Sequence, residues 1–128
     1  MLDWLPAIKD RWARLTTDAG PLWLMRAPAG QALPVCVVVP VSDVPDYSSD
    51  GAHVREIGVQ FSVFHTSAVE AERIADRIAD TFHDCELHVR DGYFINCRLI
   101  GRTMLTETED EEAVFHAMRE FQIHIGHD

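Results

Sequence analysis

The sequence predicts an α+β fold, an antiparallel β-sheet with helices packed on one of its faces. Two observations carry this. Apolar and polar residues alternate over 54–65, 93–105 and 114–125, the period of a half-buried strand, whereas apolar residues recur every three or four positions over 3–16 and 67–82. The elements come in the order α-β-β-β-α-β-β-β, with strands in succession after each helix, which favours an antiparallel sheet over a doubly wound fold. A chain of 128 residues suits one domain, 1–128.

The first helix is expected from about 3 to 16. Leu5, Ile8, Trp12 and Leu15 form its stripe, Asp3 is placed to cap it, and Pro6 lies in the first turn, where no amide donor is needed. Gly20 and Pro21 end it. A short strand follows at 22–26, and Pro28, Gly30 and Pro34 mark a turn. Val35 to Val39 is apolar without alternation, as in an interior strand covered on both faces. Residues 41–53 read as a long polar loop. Such loops in compact domains are usually functional or mobile.

After the strand at 54–65, Ser67 and Glu70 have the spacing of a capping box, in which each side chain serves the other residue's amide. The helix they start has Ala71, Ile74, Ala75, Ile78, Ala79 and Phe82 on its stripe. On its outer face Glu70–Arg73 is a supporting pair, while Glu72–Asp76 and Arg73–Arg77 are like-charged. A strand is expected at 85–90, and Asp91-Gly92 is a turn signal. Within 93–105, Tyr93, Ile95, Cys97 and Leu99 oppose Asn96, Arg98 and Arg102. An acidic loop at 105–112 leads to the last strand, where Arg119 breaks the pattern by falling on the apolar side, so a bulge or an edge position is expected there.

Composition removes several functions. The chain is 47% hydrophobic, so it can bury a core, and its net charge of −10 opposes tight binding to nucleic acid or to an anionic membrane. No apolar run is long enough to span a bilayer, and the N-terminus lacks the pattern of a signal peptide, so a cytoplasmic setting is expected. Cys36, Cys85 and Cys97 form no CxxC pair and are expected to be reduced and buried.

Candidate chemistry is sparse. His116, Glu120 and His124 share a face, but on a strand each lies roughly 13 Å from the next, too far for one metal ion. Ser42, Ser48, Ser49, Asp43, Asp46, Asp50 and His53 include the residue types of a hydrolase triad, without the strained G-x-S-x-G turn. Glu107, Glu109, Asp110, Glu111 and Glu112 lack the spacing of an EF-hand loop. No catalytic, cofactor or metal site is therefore expected. A small metal-dependent or hydrolytic enzyme using the 42–53 loop stands as the alternative from a different class.

Residues 58–82, "GVQFSVFHTSAVEAERIADRIADTF", carry a resemblance. A strand with aromatic residues, a short polar step and a helix with Ala71, Glu72, Ala75 and Phe82 in pattern resemble the tail-completion (tail-terminator, tail-to-head joining) family of long-tailed bacteriophages. The N-terminal helix, "ALPVCVVVPVS", the Asp50-Gly51 loop and the final strands agree in order, although the "TETEDEE" tip and the many histidines depart from it.

The resemblance implies a homohexameric ring at the head-proximal end of the tail, which stops tube polymerisation and joins tail to head. It implies no enzyme activity and no cofactor. The implied partners are further copies of the chain, the major tail tube protein and a head-completion or neck protein, with no membrane. A neck adaptor of the connector is the alternative within the virion. The implied location is the tail and neck of the virion, with assembly in the host cytoplasm. DNA would pass through the lumen without specific binding, and an acidic wall lets phosphate slide. A compact chain of this length is about 36 Å across, so six in a ring leave a hole of similar width. Ring contacts are head-to-tail and need two different patches. The expected contact residues are Asp43, Asp46, Tyr47, Asp50 and His53 in one loop and Glu107, Glu109, Asp110, Glu111 and Glu112 in the other.

Overall fold

The computed structural model describes residues 3–15, 19–47, 53–90, 92–109 and 112–127. The elements are α1 (Leu5–Trp12), β1 (Leu22–Leu24), β2 (Val35–Tyr47), β3 (His53–His65), α2 (Ala68–Phe82), β4 (Tyr93–Glu109) and β5 (Glu112–His127). The five strands form one sheet in the order β1-β2-β3-β5-β4. The α+β class and the helices on one face are as the sequence predicts. The pairing differs in one place: β1 runs parallel to β2, while β2–β3, β3–β5 and β5–β4 are antiparallel. The chain crosses between β1 and β2 through residues 25–34, over the face away from the helices.

Period-2 patterning places Cys36, Val38, Val59, Phe61, Val63, Ala117, Phe121 and Ile123 on the helix-facing side, where all are buried. The stripe of α2 and Ile8 and Trp12 of α1 close over them. Phe61 is the hub. Its ring lies 4.8 Å from Phe82, 5.5 Å edge-on from Phe121 and 6.1 Å from Trp12, distances at which aromatic pairs add to simple burial. Val37 and Val39 point to the other face, where Val37 is also buried, so β2 is covered on both sides at this level. Cys36, Cys85 and Cys97 are free and buried. A hydrogen bond donated to Cys85, together with burial, drives the Cys97 thiol up, well away from the reactive thiolate.

Several expectations are corrected. Residues 85–90 do not pair as a strand. Cys85 and Leu87 alternate into the core with exposed neighbours between them, so the burial pattern is strand-like. Side-chain burial sets that pattern, however, and it does not supply a ladder partner. The segment lies along α1 instead. Asp91, half of the expected turn, lies outside the described residues.

The expected loops at 41–53 and 105–112 are largely strand, because β2 runs on to Tyr47 and β4 to Glu109. Polar residues there alternate on a paired ribbon, which exposure alone does not distinguish from a loop. Helix α1 is shorter than expected and starts after Trp4, which makes no side-chain cap, since the carboxylate of Asp3 is engaged by Arg55. For α2, the Ser67 side chain accepts from the amide of Glu70 at 3.3 Å, as expected. The reciprocal half is replaced: the Ser67 amide donates to His65 Nδ1 at 3.0 Å, and Glu70 binds Arg73.

Candidate functional site

The two groups of expected contact residues lie at opposite ends of the sheet. Tyr47 of β2 faces His53 of β3, which faces His127 at the end of β5. At the start of β5, Glu112 faces Glu109 of β4. The 16 residues of β5 thus separate the two ends by about 50 Å.

At the first end a guanidinium organises the backbone. Arg55 points from β3 toward the start of α1. Its Nη1 and Nη2 donate to the Asp3 carboxylate at 2.7 and 3.0 Å. Its Nε and Nη2 donate to Asp43 at 3.2 and 2.6 Å, and Nη1 also lies 3.3 Å from His127 Nε2. All five N–H groups of a guanidinium are used, in two bidentate pairs and one contact to an imidazole. Hydrogen bonding from Arg55 holds the Asp3 carboxyl down at about 2, and the two carboxylates raise Arg55 further. Asp43, one of the expected contact residues, also makes an ion pair within the subunit.

Asp46 and Tyr47 belong to β2, opposite Val54 and His53. His53 is half-buried. Asp50, Ser48 and Ser49 lie outside the described residues. Ser42 and His53 stand about five rows apart along the ribbon, roughly 16 Å, so they are beyond direct hydrogen-bond reach. Close by, Gly126 opposes Tyr93; a Cβ there would come within 2.2 Å of the Tyr93 ring, so only glycine admits this approach.

At the second end β4 and β5 run past β3, whose last partner is Phe115. The extension runs through Glu107, Glu109 and Glu112, with Glu107 and Glu112 exposed and Asp110 and Glu111 outside the described residues. Glu107 lies 3.6 Å from His116 Nδ1. His116 stacks on Phe64 with ring centroids 4.1 Å apart, and burial pushes its pKa down against the opposing pull of Glu107. Burial thus favours the neutral ring over the charged one. His116 borders a cavity of about 460 Å³ between residues 25–33 and the open face of the sheet, lined also by Val37, Val39 and Gln60. Sequence reasoning missed this cavity. Unbroken Val35–Val39 was its signal, because it requires a cover on the second face.

A third feature ties α2 to the sheet. Arg119 falls on the apolar face, as the sequence indicates, and α2 supplies the reason. Its Nη2 donates to Glu72 Oε2 at 2.7 Å and Asp76 Oδ1 at 3.0 Å, and its Nη1 to the Met118 carbonyl at 2.9 Å. The like-charged Glu72 and Asp76 are thus two jaws on one buried cation. The bulges lie elsewhere: the register shifts at Val41 in β2 and at Ile95 and Ile100 in β4. Among the described residues no group of three His, Cys, Asp or Glu side chains could hold a metal ion. His116, Glu120 and His124 are spread along β5, as expected for a strand. No helix is long and apolar enough to cross a membrane among the described residues.

Comparison with known proteins agrees with this architecture. The chain is similar in fold to a chain from the virion of a native gene transfer agent (GTA) particle, with a TM-score of 0.60 and 14% sequence identity, over 96% of this chain and 97% of that one. No curated protein sequence matches. The family model described as tail completion protein gp17 matches residues 12–126, a span that takes in all of α2 and nearly the whole sheet. The chain belongs to the tail completion protein gp17 family and is a structural protein of a phage-type tail.

Proposed function

We propose that the protein forms a closed ring, six subunits in number, that caps the head-proximal end of the tail tube, stops its growth and joins tail to head. The observation that carries this reading is the placement of two unlike ends on one sheet braced by α2. One end is built around the Arg55 clamp, and the other is an acidic ribbon some 50 Å away. A subunit with unlike ends can meet the tube with one and the neck with the other. The net charge of −10 suits a passage for DNA, since repelled phosphate does not stick to the wall. The role is assembly and not catalysis.

Electron microscopy of the full chain mixed with purified tail tubes tests the proposal. The expected result is a ring at one end of each tube and tubes of uniform length. Tubes that stay bare and keep growing would overturn it. Pull-down against tube and portal proteins separates this role from that of a neck adaptor: retention on portal protein without tube binding would favour the adaptor.

A further inference from the structure

The two free edges of the sheet carry exposed apolar side chains at matching heights. β1 covers β2 only over Cys36–Val38, and the remaining length of β2 has no strand neighbour on that side among the described residues. β4 is the opposite edge. Val41 and Val44 on the first edge are 52% and 54% exposed, and Ile95 and Ile100 on the second are 43% and 54% exposed. Val41, Ile95 and Ile100 are each the extra residue at a register shift. A bulge both re-aims a side chain and interrupts the ladder. These edges therefore present β-branched side chains while resisting indiscriminate strand addition.

The ladders fix the heights. Val44 lies in one row with Glu56, His124 and Asn96, and Ile95 is the next residue along β4. Pro40 lies in one row with Val59, Phe121 and Leu99, so Val41 and Ile100 each fall within about one residue of that row. Copies related by rotation about an axis along the strands, with no rise, meet at equal height. Three antiparallel pairings separate β2 from β4, so the two strands run in opposite directions. The β2 of a following copy in the same orientation then runs antiparallel to β4, as the rest of the sheet does.

We infer that the subunit joint is heterologous and lies between these edges, with Val41 and Val44 of one copy packed on Ile100 and Ile95 of the next. The inference rests on the ring reading and names its contact. It moves the lateral joint away from the two tips, leaving them for the tube and the neck.

Disulfide trapping tests it. The full-length Val44→Cys/Ile95→Cys protein, mixed with tail tubes and oxidised with a mild disulfide reagent, is expected to give a ladder of cross-linked multimers on a non-reducing gel. Each single-cysteine variant is expected to stay monomeric there, because a heterologous joint never brings a residue beside its own copy. The native cysteines are buried and should not contribute. Self-linking of either single variant would overturn the joint. Wild-type rings on tubes without a ladder from the double variant would overturn the joint alone, whereas no wild-type rings would overturn the ring reading with it.

Lysine variants give an independent readout. Val41→Lys/Val44→Lys and Ile95→Lys/Ile100→Lys should each fail to form rings alone, yet associate when mixed, because each keeps one working edge. Rings from either variant alone would overturn the joint.

Discussion

Arg55 and Arg119 both extend from the helix-facing side of the sheet, and each binds two carboxylates. Their surroundings differ. Arg55 is 15% exposed at one end of the sheet and uses every N–H it has. Arg119 is 1% exposed beneath α2, and its Nε has no hydrogen-bond partner among the described residues. The first pairs are partly screened by water and worth little beyond their geometry. The second cation has left water, so its charge depends on Glu72 and Asp76. Carboxylates at equal distances are thus worth different amounts, and burial decides which.

The largest effect should come from disarming the buried site. Glu72→Gln/Asp76→Asn keeps shape but leaves a buried cation without counter-charge, and should cost about 3 kcal/mol in urea unfolding. A loss well below that would mean water reaches Arg119. At the other site, Asp3→Asn should cost about 1 kcal/mol at neutral pH, after allowing for solvent screening at a carboxylate one-third exposed. The sign with pH follows from a folded pKa lowered from 3.8 to about 2. The stabilisation is complete above 3.8 and is lost as pH falls through 2, so wild type and variant should converge in acid. Constant separation of their unfolding midpoints down to that pH would count against the Asp3 clamp.

Removing the cation itself should matter least among the single sites. Arg119→Met replaces a desolvated charge with an apolar chain of similar length and frees two exposed carboxylates, so its stability should stay within about 1 kcal/mol of wild type. A loss as large as that of the double variant would show that the ion pairs are worth more than their desolvation. Finally, combining Asp3→Asn with Glu72→Gln/Asp76→Asn should be additive within about 0.5 kcal/mol, because Arg55 organises one site and Arg119 the other. A larger coupling in thermal or urea unfolding would mean that α1 and α2 respond as one unit.

The sequence by itself determined what depends on local pattern. Alternation and helical spacing identified β3, α2 and β5, and the net charge of −10 set the chain against a basic grip on phosphate. The anomaly of Arg119 was visible as a cation on an apolar stripe, and Glu72–Asp76 as an unexplained like-charged pair. That the two anomalies answer each other was not visible, since 43 residues of chain separate Asp76 from Arg119 and only the packing of α2 on β5 joins them. The same holds for Arg55, which unites Asp3 and Asp43 from distant parts of the chain. The tertiary structure alone decided the unpaired course of 85–90, the opposite placement of the two acidic segments and the apolar residues lifted onto the edges by bulges. A single chain encodes its side-chain periods locally, but ladder partners, register shifts and the burial of a charge exist only between segments.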